Sequence, residues 1–185
     1  MMERMIISLI LIISTFAIFL IVRFLSFIVK RKRAEIHHRL GVGFLAQRDF
    51  QRAEEEFRKA ISIEPDHAPA HVNLGVSLME LKKYCEAERE FREAIRISPE
   101  LAEAYNNLGI LLDTIGRYEE AEEKFREAIR INPDFIAAYI NLGILLKKLD
   151  RREEARAELE KALELCEAHH RYEDAESAKE LLGKL

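Results

Sequence analysis

Side chains able to hold a metal or act as a nucleophile are few in this chain: six histidines and two cysteines, Cys85 and Cys166. Cys166, His169 and His170 stand three and four residues apart. On a continuous helix the thiol therefore shares a face with either imidazole, an arrangement metals can use. Two or three ligands do not close a structural site, and the second ligand pair of a zinc motif is missing. The stretch reads as a polar helix end, and no metal or cofactor is expected. His38 and His67 belong to no ligand pattern in the sequence. The two cysteines imply no disulfide framework. No phosphate loop, Gly-x-Ser-x-Gly elbow or paired-acid motif occurs, so no catalytic residue is expected and the chain does not read as an enzyme.

A different chemistry recurs at a fixed interval. Asn73, Asn107 and Asn141 lie 34 residues apart, with Arg39 one interval earlier. A column of amides offers a donor and an acceptor at each step and can pair with the backbone of an extended peptide. The alternative is that neighbouring groups of the chain satisfy these amides.

The elements that carry the column are legible in residues 102–133, AEAYNNLGILLDTIGRYEEAEEKFREAIRINP. Tyr105, Leu108, Leu112 and Ile115 recur at helical spacing, and Ala121, Phe125, Ala128 and Ile129 do so again after Gly116. Gly116 can end the first helix in the left-handed conformation, and Pro133 blocks extension of the second. One such helical hairpin cannot bury both apolar stripes alone. Its neighbours repeat it: Leu-Gly pairs begin at Leu40, Leu74, Leu108 and Leu142. Alanines stand at 53, 87, 121 and 155 and again at 60, 94, 128 and 162, with Phe57, Phe91, Phe125 and Leu159 between. A fixed period of this length defines a solenoid.

These units resemble tetratricopeptide repeats, whose pattern matches Tyr105, Leu108, Gly109, Tyr118, Ala121, Phe125, Ala128 and Pro133. His37 and His71 replace the first aromatic, Arg152 replaces the aromatic that opens the second helix, and Glu167 stands where a proline would close the fourth unit. The resemblance implies an all-α solenoid of about four hairpins, over residues 34–67, 68–101, 102–135 and 136–169, whose first helices line a concave face. It places Asn73, Asn107, Asn141, Arg39, Asn106, Val72, Val76, Met79, Ile110, Ile140 and Ile144 on that face, as an apolar groove with a polar spine. The asparagine column is similar to the ladder in the repeat superhelix of the O-linked N-acetylglucosamine transferases. The lysine and arginine clamp of the chaperone-binding members is absent apart from Arg39.

After the fourth unit, Tyr172, Ala175, Ala178, Leu181, Leu182 and Leu185 form one stripe, which makes residues 170–185 a capping helix. At the other end, residues 5–22 are apolar and uncharged and, at about 1.5 Å per residue, long enough for a transmembrane helix. Lys30, Arg31, Lys32 and Arg33 follow, so the positive-inside rule turns the repeats toward the cytoplasm and offers a contact for anionic lipid. Residues 1–33 are thus expected to form a single-pass anchor, which either runs unbroken into the first repeat as one rod or frays at Lys30 to Arg33, where like charges repel. Its net charge is +5, leaving −9 for the rest, a balance that argues against a nucleic-acid partner. The expected function is a membrane-anchored scaffold that captures a protein or peptide segment in its groove. The alternatives are self-association into a homo-oligomer and a non-catalytic adaptor subunit of a membrane enzyme complex.

Overall fold

The structure, a computed structural model, describes residues 2–185, with the side chains of residues 3–14 and 173 left out of the description. Its described elements are all helical: α1 Met2–Ala46, α2 Phe50–Ile63, α3 Ala68–Glu80, α4 Tyr84–Ile97, α5 Ala102–Thr114, α6 Tyr118–Ile131, α7 Ile136–Lys148, α8 Arg152–Ala168 and α9 Tyr172–Gly183. The turn inside each hairpin is a left-handed stop. Gly116 has φ +81°, as its position predicts, but the equivalent residues in the other hairpins are Arg48, Lys82 and Asp150, each at φ 59°. The amide after each stop reaches back over the turn, as Lys83 N–H donates to the Leu78 carbonyl at 2.8 Å and Arg117 N–H to Leu112 at 2.8 Å. These bonds take up carbonyls that the helix end would otherwise leave open.

Packing within a hairpin follows from the recurring glycines. A Cβ on Gly75 or Gly109 would lie 2.6 Å from the ring of Phe91 or Phe125, and one on Gly143 would lie 2.7 Å from Leu159 Cγ. The phenylalanine of the second helix thus lies against bare backbone of the first and is fully buried. Stacking is asymmetric. Each first helix touches the first helix of the next hairpin, α1 to α3, α3 to α5, α5 to α7 and α7 to α9, whereas the backbone of each second helix approaches only helices adjacent to it in sequence, and second helices reach one another through long side chains, as Arg58 reaches Glu86 at 2.8 Å. The first helices therefore form the crowded inner layer of the solenoid. Across the outer layer, ion pairs step from hairpin to hairpin: Lys83 to Glu54 at 2.9 Å, Arg117 to Glu88 at 2.9 Å and Arg151 to Glu122 at 2.5 Å.

The two ends differ. At the C-terminal end α9 takes the place of a further first helix and buries Ala175 and Ala178. At the N-terminal end no hairpin covers the first, so Leu40 is 48% exposed although its counterparts Leu74, Leu108 and Leu142 are buried. Helix α1 is continuous into the first hairpin, and among its described side chains Ala34 is the first that is buried.

The expected localisation is overturned. Among the described residues no helix is long and apolar enough to cross a membrane. The expected span, 5–22, lies outside the described residues over side chains 5–14. A single-pass placement facing the cytoplasm is accordingly set aside, and the lipid contact of Lys30, Arg31, Lys32 and Arg33 that rested on it has no support.

Candidate peptide-binding groove

The inner helices hold the asparagine column because one repeat returns every side chain to the same face of the next first helix. Asn73 on α3, Asn107 on α5 and Asn141 on α7 are all half-buried, and Arg39 on α1 is exposed. Two of the amides are occupied within the chain. Asn73 Nδ2 donates to His38 Nε2 at 2.9 Å, and Asn141 Nδ2 donates to Asn106 Oδ1 at 2.9 Å. Both bonds join one residue of the column to the residue 35 positions earlier, which lies on the preceding first helix. For Asn107 that earlier residue is Val72, which has nothing to accept or donate. The Asn107 side chain has no hydrogen bond to any described residue, and it stands midway along the face.

The other expected groove residues divide by depth. Val76, Met79, Ile110 and Ile140 are half-buried and Ile144 is exposed, so these five are open to a ligand on the inner layer. Val72 and Asn106 are corrected: at 2% and 4% exposure they are buried between neighbouring first helices. Asn106 acts instead as the support of Asn141. At the C-terminal end of the face, Asn132, Phe135, Ile140, Asn141, Arg171 and Asp174 border a hollow of about 490 Å³. His38 and Asn106 were not visible as partners in the sequence. The signal that could have found them is the 35-residue step, one more than the repeat, at which a polar residue precedes two of the three asparagines.

His71 and His37 lie on the second-helix side of the inner layer. His71 Nδ1 meets Glu90 Oε2 at 2.7 Å and its Nε2 meets the Pro65 carbonyl at 2.9 Å. Burial alone would pull this imidazole's pKa down, but the bonds to Glu90 and to the carbonyl outweigh it and the net shift is upward. His37 Nδ1 pairs with Glu56 at 2.7 Å in the same way. Both histidines bridge the helices of a hairpin. Cys166 is buried under α9, and that burial pushes its thiol up.

Hairpins stacked with their first helices inside and a column of amides along that layer define an α-solenoid repeat protein of the protein-binding kind. The sequence pattern of the tetratricopeptide repeat matches residues 34–67, 66–134 and 116–165, and the repeats of this chain are tetratricopeptide repeats. Proteins of this kind are generally non-catalytic adaptors. No curated protein matches the chain. Among solved structures it is similar to a crystal structure of MamA, at 28% identity and a TM-score of 0.68 over 76% of this chain and 82% of that one. It is also similar to PilF of Pseudomonas aeruginosa, at 24% identity and a TM-score of 0.68 over 84% and 77% of the two chains. The first tetratricopeptide domain of Spaghetti (RPAP3), bound to the HSP90 peptide SRMEEVD, aligns at 19% identity with a TM-score of 0.61, over 64% of this chain and 94% of that one. The last two likenesses concern the fold alone.

Proposed function

We propose that this chain is a protein-interaction scaffold that holds an extended peptide segment along its concave face, with Asn107 as the amide that pairs with the peptide backbone. The observation that carries the reading is the unequal state of the column: Asn73 and Asn141 are engaged, and Asn107 is free among the described residues. A half-buried amide with no partner offers a peptide both of its N–H donors and its carbonyl, while Asn73 and Asn141 each have one N–H already committed within the chain. Ile110, one turn along α5, gives the same face an apolar surface for peptide side chains. The peptide bound by Spaghetti (RPAP3) ends in acidic residues and a carboxylate. The cations on this face are Arg39 and, at its C-terminal end, Arg171, which is already paired with Asp174 at 2.6 Å, so a neutral or apolar segment fits it better.

The test is affinity for a peptide selected on the full chain from a random display library. Asn107→Ala is expected to weaken binding by about tenfold while leaving stability unchanged. Asn73→Ala and Asn141→Ala are expected to do the reverse, each lowering stability by about 1 kcal/mol. Equal affinity of the Asn107→Ala chain and the native chain would refute the reading. Self-association is a second reading, favoured by the uncovered N-terminal edge, where Ile36 and Leu40 are 55% and 48% exposed. A molecular mass that rises with concentration and returns to the monomer value in Leu40→Glu would support it.

A further inference from the structure

The junction of the first two hairpins gathers side chains that the proposed groove does not use. Glu35 and His38 lie three residues apart on α1 and so share one face, and His67 stands at the start of α3, opposite them. One ligand atom from each lies within 4.8 Å of the other two. His67 Nε2 is 3.7 Å from Glu35 Oε2, and the His38 and His67 rings are 4.8 Å apart between centroids. A second observation falls at the same place. Glu64, His67, Glu35, Arg31 and Lys32 border a hollow of about 280 Å³. Glu64 Oε2 is buried there without a hydrogen-bond partner, alone in this among the described side chains. A buried carboxylate oxygen with no donor is a group that lacks its counter-ion.

We propose that Glu35, His38 and His67 form a transition-metal site for a zinc-like divalent ion, with water in the remaining position and Glu64 in the adjoining hollow adding negative charge. Two imidazoles with carboxylate oxygens suit a borderline ion such as Zn²⁺ and do not suit Mg²⁺ or Ca²⁺, which take oxygen ligands. Zinc ligands at roughly 2.0–2.2 Å from the ion stand about 3.3 Å from one another in a tetrahedron. The Glu35 to His67 separation, 3.7 Å, is slightly wider than that, and the exposed side chain of Glu35 is the one able to close it. Arg31 and Lys32 oppose the ion, and the two carboxylates offset them.

The ion competes with two hydrogen bonds. His67 Nδ1 accepts the Ala70 N–H at 3.1 Å and thereby caps α3, so the neutral ring carries its proton on Nε2. Coordination through Nε2 moves that proton to Nδ1, and the Ala70 amide loses its side-chain acceptor, keeping only the His67 carbonyl at 3.0 Å. Coordination by His38 through Nε2 would likewise free the Asn73 amide. The site would thus join α1 to α3 more firmly in exchange for a helix cap.

The test uses the full chain and Zn²⁺ alone, followed by titration calorimetry near neutral pH, with Mg²⁺ as control. One zinc per chain is expected, with a large shift of the Ala70 amide resonance and no response to Mg²⁺. His67→Ala and Glu35→Gln are each expected to lower the affinity at least about tenfold. Glu35 is exposed, so its variant keeps the fold, and circular dichroism of each metal-free variant verifies this. The absence of saturable zinc binding would overturn the proposal. So would zinc binding that neither variant weakens, since the ion would then lie elsewhere, as at Cys166, His169 and His170. Peptide affinity at Asn107 is measured without zinc, so either reading can fail alone.

Discussion

At the scale of single residues, the tightest constraints are backbone ones. Lys82 holds a left-handed φ of 59°, a conformation that brings its Cβ close to the backbone and that glycine adopts freely. Lys82→Gly is expected to raise stability by up to about 1 kcal/mol in chemical denaturation. Gly116→Ala, at φ +81°, should lower it by a similar amount, about 1 kcal/mol. His71 gives a pH signature. Its pKa is raised above the ordinary 6.5, so its contribution to stability is full below that value and is lost as pH rises through the folded-state value. The charged groups facing it are Glu90 and Glu93 on α4. The stability advantage of the native chain over His71→Phe should therefore shrink as pH rises above about 6.5; an advantage that grows there would show the histidine to be neutral.

At the scale of the helix, the hairpin was legible because small and large residues alternate for a packing reason that spacing exposes. Gly109 and Phe125 are such a pair, 16 residues apart in sequence and in contact across the hairpin. Gly109→Ala must displace the Phe125 ring, and a loss of about 1–3 kcal/mol in unfolding free energy is expected. Phe125→Leu in the same chain should recover part of it, because Gly143 already packs on Leu159 in the fourth hairpin. Less was legible where two hairpins meet. The fate of each asparagine depends on the residue 35 positions earlier, and of His38, Val72 and Asn106 only Val72 leaves its amide free. The left-handed stops at Arg48, Lys82 and Asp150 were hidden for a related reason. Hydrogen bonds over the turn impose the conformation whatever the residue, and glycine only makes it easier. His38 and His67 likewise become neighbours only through the stacking of α1 on α3.

At the scale of the whole molecule, the solenoid is a row of similar units whose ends are not alike. Its N-terminal edge is uncovered, and α9 closes the other end over Ile136, Tyr139 and Cys166. Thiol reactivity reads that closure. Cys85 is exposed and should react at once with a thiol reagent, while Cys166 should react only after unfolding or after removal of residues 170–185. Residues 5–22 have the length and hydropathy of a span, and among the described residues, which leave out the side chains of 5–14, no helix is long and apolar enough to cross a membrane. Among the described residues the inner face carries the asparagine column, of which Asn107, near the middle, has no side-chain hydrogen bond.

Photo-crosslinking tests that face most directly. A benzophenone side chain placed at Ile110 on the inner layer, or at Glu119 on the outer one, would be irradiated with a peptide selected on the full chain. Capture at position 110 and none at position 119 is the predicted result. Capture at 119 with none at 110 would place the peptide on the outer helices and contradict binding along the asparagine column.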